Sequence, residues 1–148
     1  MPFIENISKQ DCVLGLHFDP TQVKTVCIQI SDYEDDFCTP KYKDSFQAIY
    51  QFKFNDTEDV FDLNCITDLQ AKQIAEILTD CLEQGVNVVV HCHAGICRSG
   101  AVVACAEAIG FDECERFKLP NALVKHKIMQ ALGYSIAPTS SMFNQVKE

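Results

Sequence analysis

The sequence predicts an α/β fold in which a central, mostly parallel sheet is flanked by helices. Two observations support this prediction. Residues 86–90 include three consecutive valines without polar alternation, which is typical of an inner strand of a parallel sheet. Helical segments precede and follow that strand, and the order strand, helix, buried strand, loop, helix is that of an open parallel sheet covered by helices. We expect residues 1–148 to form one domain.

The strands before the valine segment follow from local patterns. Apolar residues that alternate with polar ones, or that are β-branched, predict strands at 12–18, 24–30 and 49–54. The segment 31–45 is polar and acidic and contains Pro40, so it is predicted to be a loop.

Three helices are predicted from the spacing of apolar residues and from residues that start or stop helices. The first covers 67–84, with Thr67 as its N-cap and Gly85 as its stop. The other two cover 99–109 and 121–132.

Composition and charge argue against several classes of function. The formal net charge is −9, and a surface this acidic repels nucleic-acid phosphates and anionic membranes. No apolar run reaches the length of a membrane-spanning helix, and residues 1–11 show no apolar segment before a cleavage site. We therefore expect a cytoplasmic protein that binds neither nucleic acid nor membranes.

The nine cysteines do not indicate a disulfide framework. Their number is odd, the chain is long enough to form a core, and no export signal is recognised. Cys27, Cys81 and Cys105 lie in apolar or helical contexts, where a small buried hydrophobic residue is the expected role.

The chemistry of the chain is concentrated in residues 91–100, HCHAGICRSG, directly after the valine strand. Ligands of open parallel sheets bind beyond the carboxyl ends of the strands, where this segment is expected to lie. A tight loop between a strand and a helix turns backbone N–H groups inward and adds the positive end of the helix dipole. Gly95 allows the positive φ that such a loop requires, and the planar guanidinium of Arg98 matches two phosphate oxygens. The segment therefore predicts a phosphate site.

The same loop would activate a nucleophile. Inward N–H groups and a helix N-terminus stabilise a thiolate over a thiol, so Cys92 is the candidate nucleophile. Ser99 is placed to donate a hydrogen bond to its sulfur. A phosphocysteine route also needs an acid for the leaving oxygen and a base for water. Asp56 follows a predicted strand and is the candidate for both roles; its competitors are Glu58, Asp59 and Asp62.

These motifs resemble those of a known superfamily. HCHAGICRSG is similar to the signature of the protein tyrosine and dual-specificity phosphatases, in which His-Cys is followed by five residues, Arg, and Ser or Thr. FNDTEDVFDLN at 54–64 resembles the general-acid loop of the dual-specificity group. LPNALVKHKIM at 119–129 resembles the Pro-Asn element that follows the signature helix. The chain is also similar to small phosphatases of phage or bacterial type.

The resemblance implies a cysteine-phosphatase fold and a role for each site residue. Cys92 attacks phosphorus, Arg98 clamps the phosphoryl oxygens, Asp56 protonates the leaving group, and Ser99 assists turnover. The residues that bind phosphate are those of the loop: His93, Ala94, Gly95, Ile96, Cys97 and Arg98. His91 and Asn121 support the site. No metal and no cofactor takes part.

The implied enzyme is a protein-tyrosine or dual-specificity phosphatase whose partners are phosphorylated proteins. It hydrolyses phosphotyrosine and, because the chain is short and suggests a shallow pocket, phosphoserine and phosphothreonine as well. A phage-encoded enzyme would act in the host cytoplasm. The physiological substrate and the oligomeric state are not predicted.

Three other interpretations stay open. The same chemistry could act on inositol phosphates or on RNA 5′-phosphates, although the loop has no lysine and the charge is acidic. A non-catalytic phosphopeptide-binding module is a second alternative, but such modules usually lose the nucleophile or the arginine. A zinc site at 91–97 is disfavoured because a second, well-spaced ligand pair is not recognised and because adjacent strand residues point to opposite sides.

Cys97 departs from the dual-specificity pattern. CHAGICRS resembles the loop of low-molecular-weight tyrosine phosphatases, but in those proteins the loop precedes the acid, and here the order is reversed. The second cysteine leads to the hypothesis that oxidation joins Cys92 to Cys97 in a reversible disulfide. The alternative is that Cys97 simply packs under the loop.

Overall fold

Four parallel strands form the sheet in the described part of the chain, residues 1–133 of a computed structural model. Their bounds are β1 Ile4–Ser8, β2 Thr25–Ser31, β3 Ala48–Lys53 and β4 Asn87–Cys92. The strand order is β1-β4-β2-β3, so the valine strand β4 lies between two neighbours. This burial on both sides explains why β4 has no polar alternation. The predicted parallel α/β sheet is confirmed.

Four helices accompany the sheet: α1 Lys9–Leu14, α2 Asp68–Gln84, α3 Arg98–Ile109 and α4 Ala122–Ala131. At the start of α2, the Thr67 hydroxyl accepts a hydrogen bond from the backbone N–H of Gln70, while the Gln70 side chain bonds back to the backbone of Thr67. This reciprocal pair is a capping box, and Gly85 ends the helix in the left-handed conformation. The predicted start and end of α2 are therefore confirmed.

The N-terminal region differs from the prediction. The strand predicted at 12–18 is wrong, because helix α1 occupies 9–14 and a turn follows it. The Ser8 hydroxyl caps α1 by accepting from the N–H of Asp11, and Gly15 ends it in the left-handed conformation. Strand β1 was not predicted at all. The strand has five residues, and it pairs with a distant part of the chain: Ile4 lies opposite Val88, more than eighty positions away.

The two faces of the sheet bury different side chains. Val88 and Val90 of β4 face the main core, which is formed with α2, α3 and α4. Val89 faces a smaller core that α1 and the segment between β2 and β3 cover. This second core contains Ile7, Cys12, Cys27 and Phe46. Each inner strand therefore contributes alternate residues to two cores.

The strand register brings three chain segments to the same edge. Ser8 pairs with Cys92, and Gln29 pairs with His91, so β1, β2 and β4 end side by side. The segments that follow these strands, including α1 and the loop at 93–97, therefore meet at the carboxyl edge of the sheet. That edge is where open parallel sheets place their ligands.

Within residues 1–133, no helix combines the length and the apolar character that crossing a membrane requires. Residues 134–148, the last part of the predicted domain, lie outside the described residues.

Candidate active site

The loop at 93–97 connects β4 to α3 and turns its carbonyl groups outward. The carbonyl oxygens of His93, Gly95, Ile96 and Cys97 each accept a hydrogen bond from surrounding protein. The donors, in the same order, are Lys9 N at 3.1 Å, Asn6 Nδ2 at 2.7 Å, Leu119 N at 3.2 Å and Asn121 N at 3.0 Å. The loop is thus held from outside through nearly all its carbonyls.

The loop N–H groups consequently point the other way. The peptide bonds of the described residues are trans, and a trans peptide directs its C=O and the following N–H to opposite sides. Outward carbonyls therefore leave successive N–H groups facing the interior of the loop. No side chain caps the start of α3, so its first N–H groups also lack a side-chain partner. Amides arranged in this way at a helix N-terminus can bind an anion.

Gly95 is the position at which the loop touches β1. Its φ is 76°, and a Cβ atom there would overlap the backbone of Ile7 and Ser8. The buried side chain of Asn6 fixes this contact, because its Nδ2 donates to both Gly95 O and Phe117 O. Only glycine satisfies both the conformation and the close approach.

Cys92 lies at the end of β4, and its side chain is 3% exposed. Its Sγ is 3.2 Å from Ser99 Oγ in the first turn of α3. His91, the preceding residue, is fully buried on the opposite face, where its Nδ1 lies 3.3 Å from the carbonyl oxygen of Cys92. The structure thus brings Cys92 and Ser99 together and places His91 behind the loop.

Arg98 is buried at the start of α3, and one of its terminal nitrogens is already engaged. Nη1 donates to Asp32 Oδ1 at 2.6 Å and to the carbonyl oxygen of Phe54 at 2.9 Å. Its Nε is buried, and within the described residues it has no hydrogen-bond partner. A buried N–H without a partner is costly, and a ligand oxygen in the site would provide one.

Asp56 lies on the loop after β3 and reaches the same pocket. Its Oδ1 accepts a hydrogen bond of 2.7 Å from Asn121 Nδ2, which also donates to the carbonyl oxygen of Thr57. The Asn121 Oδ1 in turn caps α4 by accepting from Val124 N. Asn121 therefore links the helix α4 to the loop that carries Asp56.

The competing carboxylates have other partners. Glu58 accepts from the N–H of Ala122, at the start of α4. Asp59 and Asp62 accept from the N–H groups of Phe61 and Asn64, two residues after each, and so stabilise turns of their own loop. Among the four candidate carboxylates, Asp56 is the one that lines the pocket around Cys92.

Cys97 lines the pocket between Cys92 and Asp56. Partial burial, together with the nearby charges of Asp56 and Cys92, raises the pKa of the Cys97 thiol. At neutral pH Cys97 is therefore mostly in the thiol form, which is a poor nucleophile.

These side chains surround one open pocket of about 410 Å³ at the carboxyl edge of the sheet. Its lining consists of Asp32, Asn55, Asp56, Cys92, His93, Ala94, Cys97 and Arg98. Gly95, Ile96, Ser99, His91 and Asn121 lie beneath or beside it and contact the lining. The arrangement can bind a tetrahedral anion and present a sulfur nucleophile to it.

Two residues that sequence reasoning missed belong to this site. Asp32 lies in the segment 31–45, which the sequence predicts to be an acidic loop, yet it forms an ion pair with the buried Arg98. Asn6 holds Gly95 from a strand that was not predicted. The only local signal for Asp32 was its position directly after the predicted strand at 24–30, at the edge where ligands bind.

Part of the chain matches a known protein family. Residues 50–109 match the family model Tc-R-P, described as "Polymorphic toxin system, DSP-PTPase phosphatase". The matched segment runs from β3 through α2 and β4 to the end of α3, so it includes Asp56, Cys92, Arg98 and Ser99. Over these residues the chain is similar to the dual-specificity group of the protein tyrosine phosphatase superfamily. The match supports the family and the enzyme class that the motifs indicated.

Two solved structures resemble this phosphatase. The human tyrosine phosphatase-like serine/threonine/tyrosine-interacting protein has a TM-score of 0.58 at 21% identity, with 83% of this chain and 86% of that chain covered. At this identity the likeness establishes the fold, and it confirms the predicted cysteine-phosphatase fold. The structure entitled Tk-PTP in the active form is more distant, with a TM-score of 0.46 at 12% identity over 88% and 78% of the two chains. A comparison with curated protein sequences found no significant match.

Proposed function

We propose that this phosphatase hydrolyses phosphotyrosine in proteins, and phosphoserine and phosphothreonine as well, through a phosphocysteine formed at Cys92. The observation that carries the proposal is the loop around Cys92, in which four of the five carbonyls at 93–97 are bonded outward. Such a loop offers its amides to the three equatorial oxygens of a phosphoryl group. It also favours the thiolate form of the sulfur at its centre.

In the binding step, the phosphoryl oxygens take the loop amides and Arg98 as donors. The Nε of Arg98 gains the partner that it lacks in the free protein, and the charge-assisted bond is among the stronger hydrogen bonds. The bonds from Nη1 to Asp32 and Phe54 fix the plane of the guanidinium before substrate arrives. Little reorganisation is then needed when charge develops on the oxygens.

In the chemical steps, the Cys92 thiolate attacks phosphorus while the bond from phosphorus to the leaving oxygen breaks. Asp56 gives its proton to that oxygen and becomes a carboxylate. Water then attacks the phosphocysteine, Asp56 takes the proton, and the sulfur–phosphorus bond breaks to release phosphate. The Ser99 hydroxyl, 3.2 Å from Sγ, donates a hydrogen bond to the departing thiolate. No metal or cofactor enters these steps.

Protein substrates are favoured over the two alternative substrates by charge. The pocket includes the carboxylates Asp32 and Asp56, and its loop contains no lysine. The formal net charge of −9 opposes polyanionic RNA and anionic lipid surfaces. We accordingly propose phosphoproteins as partners, without nucleic acid or membrane, and a cytoplasmic site of action.

A substrate panel tests the proposal. Wild type and Cys92→Ser are assayed on phosphotyrosine and phosphothreonine peptides, inositol phosphates, 5′-phosphorylated RNA and an aryl phosphate. We expect turnover on the aryl phosphate and the phosphopeptides by wild type, and none by Cys92→Ser. Peptide binding without turnover by wild type would indicate a binding module instead, and turnover confined to inositol phosphates or RNA would identify the other substrate class.

We also propose that Cys97 protects Cys92 from irreversible oxidation. Peroxide converts the Cys92 thiolate to a sulfenic acid; the Cys97 thiolate then attacks that sulfur, a disulfide forms and water leaves. Because the pKa of Cys97 is raised from its ordinary value of 9.0, its thiolate fraction is small at neutral pH and grows as the pH rises. Disulfide closure should therefore accelerate with pH up to and beyond 9.

This proposal is tested by recovery from peroxide. After a short peroxide pulse and reduction, we expect wild type and the control Cys81→Ser to regain activity, and Cys97→Ser to regain less. The fraction of recovered wild-type activity should increase when the pulse is given at higher pH. Equal recovery of Cys97→Ser and wild type would show that Cys97 only packs under the loop.

A further inference from the structure

The smaller core, behind the catalytic loop, contains a cluster of metal-binding side chains that the proposed catalysis does not use. Cys12 lies on α1, Cys38 on the segment between β2 and β3, and His91 on β4. Cys12 and His91 are fully buried, and Cys38 is partly buried. Their two sulfur atoms and one ring nitrogen all lie within 4.8 Å of one another.

The spacing of these atoms suits a tetrahedral ion. The distance from Cys38 Sγ to His91 Nε2 is 3.6 Å. Two ligands of tetrahedral zinc, with Zn–S near 2.3 Å and Zn–N near 2.0 Å, are separated by about 3.5 to 3.8 Å. A zinc ion would therefore fit between these side chains with small shifts. The buried thiol of Cys27 on β2 lies in the same smaller core as Cys12, but it is not part of this group of three.

The orientation of His91 suits a ligand. Its Nδ1 lies 3.3 Å from the backbone carbonyl oxygen of Cys92, an acceptor that requires a hydrogen on Nδ1. In the neutral ring this leaves the Nε2 lone pair free, and Nε2 is the atom that faces Cys38. Zinc-binding histidines commonly donate their other N–H to a backbone carbonyl in this way.

We propose that Cys12, Cys38 and His91 bind one Zn²⁺ ion. Each cysteine that binds loses its thiol proton to solvent, so the charge of the ion is offset by thiolates in a buried site. Mixed sulfur and imidazole ligands select zinc over magnesium and calcium.

This site is distinct from a metal site within the loop itself. The side chains of His91 and Cys92 are on opposite faces of β4, so an ion bound to His91 in the smaller core cannot reach the Cys92 sulfur. The ion would tie α1, the segment after β2 and the end of β4 together directly behind the catalytic loop. Gln29 already supports this arrangement, because its Nε2 donates to the backbone carbonyl of Cys38.

Metal analysis of the purified full chain tests the proposal. Wild type grown with zinc should contain one zinc per chain, whereas Cys12→Ser and Cys38→Ser should contain little. Cys92→Ser and the remote control Cys81→Ser should keep the full amount. Zinc that is lost in Cys92→Ser but kept in Cys12→Ser would place the ion in the catalytic loop and overturn the proposal. Because Cys92→Ser has no turnover in any case, this result is independent of the proposed function.

A second measurement does not depend on the variants folding. Wild type stripped with a chelator should show a thermal unfolding midpoint that rises with added zinc and not with magnesium. Added Co²⁺ should produce a thiolate-to-cobalt charge-transfer band, which Cys92→Ser retains. The proposal would be refuted if the wild type contained no zinc and its thermal unfolding midpoint did not rise with added zinc. A disulfide between Cys12 and Cys38 in place of the ion would also refute it.

Discussion

Asp32 and Arg98 form an ion pair in which the two partners are unequally buried. The Arg98 side chain is 5% exposed and that of Asp32 is 43% exposed. Asp32 therefore has two opposing effects on a phosphate: it orients the guanidinium, and its own charge repels the dianion. Because water screens the exposed carboxylate more than the buried guanidinium, we expect orientation to be the larger effect.

Substitution of Asp32 tests this balance. Asp32→Ala removes the acceptor for Nη1 and should lower kcat/KM by about tenfold, the equivalent of about 1.4 kcal/mol. Asp32→Asn keeps an acceptor oxygen and should stay within a few-fold of wild type. Steady-state kinetics on an aryl phosphate measure both. If alanine and asparagine variants were both as active as wild type, Asp32 would have no positioning role.

Asp56 is exposed, but its carboxylate is held by Asn121 beside the pocket. Asp56→Ala should lower kcat by about 10²- to 10⁴-fold, the usual contribution of a general acid, with substrate binding retained. The loss of kcat should be smaller for substrates with a good leaving group, because the oxygen of such a group departs without needing a proton. Asp59→Ala is the matched control, because Asp59 bonds only within its own loop. If Asp59→Ala lowered kcat strongly and Asp56→Ala lowered it little, Asp59 and not Asp56 would be the general acid.

At the scale of elements, the catalytic loop depends on its contact with β1. Gly95 and Gly85 both have φ near 70°, at 76° and 69°. A Cβ at Gly95 would overlap the backbone of Ile7 and Ser8, whereas a Cβ at Gly85 would meet nothing within 4 Å. The two positions therefore share the same backbone strain and differ in the space around them.

This pair gives a controlled prediction. Gly85→Ala should cost about 1–2 kcal/mol of unfolding free energy, the strain of the left-handed conformation, and leave turnover nearly unchanged. Gly95→Ala adds a clash that must displace the loop or β1, so turnover should fall at least 100-fold even in folded protein. Urea unfolding and kinetics on the same samples separate the two effects. Equal turnover in the two variants would contradict the role of the loop–β1 contact.

For the whole molecule, buried thiols make stability depend on alkaline pH. Burial raises the pKa of Cys105 to about 12 and, with the charge of Asp80, that of Cys81 to about 11. The ordinary value is 9.0. Since the folded pKa lies above the unfolded one, this stabilisation is complete below pH 9 and is lost as the pH rises through 11 and 12.

The contribution of one thiol to this loss of stability can be measured at Cys105. This residue packs between α3 and α4, with its Sγ 3.6 Å from the carbonyl oxygen of Lys125. Between pH 8 and about pH 10.5, wild type should lose about 2 kcal/mol more unfolding free energy than Cys105→Ala, at about 1.4 kcal/mol per pKa unit. Urea unfolding at the two pH values measures it, with Cys65→Ala as a control that should behave like wild type. Identical losses in wild type and Cys105→Ala would show that folding does not change the pKa of this thiol.

Much of the fold was predictable because its signals are local. The valine run of β4, the apolar spacing and capping residues of α2, and the glycine and arginine of the loop each constrain a few adjacent residues. The strand predicted at 12–18 is wrong because other local signals, those of a helix, decide the structure of this segment. Ser8 caps the helix α1 and Gly15 ends it, and these local signals outweigh the weak alternation of apolar and polar residues that predicted a strand. Leu14 and Leu16, two of the apolar residues in that pattern, are exposed.

By itself, the sequence determined the parallel α/β class and the position of the loop at 93–97, since a strand, a glycine-containing turn and a helix form that loop from consecutive residues. Tertiary structure alone decided the contacts that join distant segments: Asn6 with Gly95, Asp32 with Arg98, and Cys12 with Cys38 and His91. These pairs depend on the strand order β1-β4-β2-β3, which packing against the two cores selects. No local pattern encodes that order, because the energy of pairing strands lies in side chains that meet only after the chain has folded.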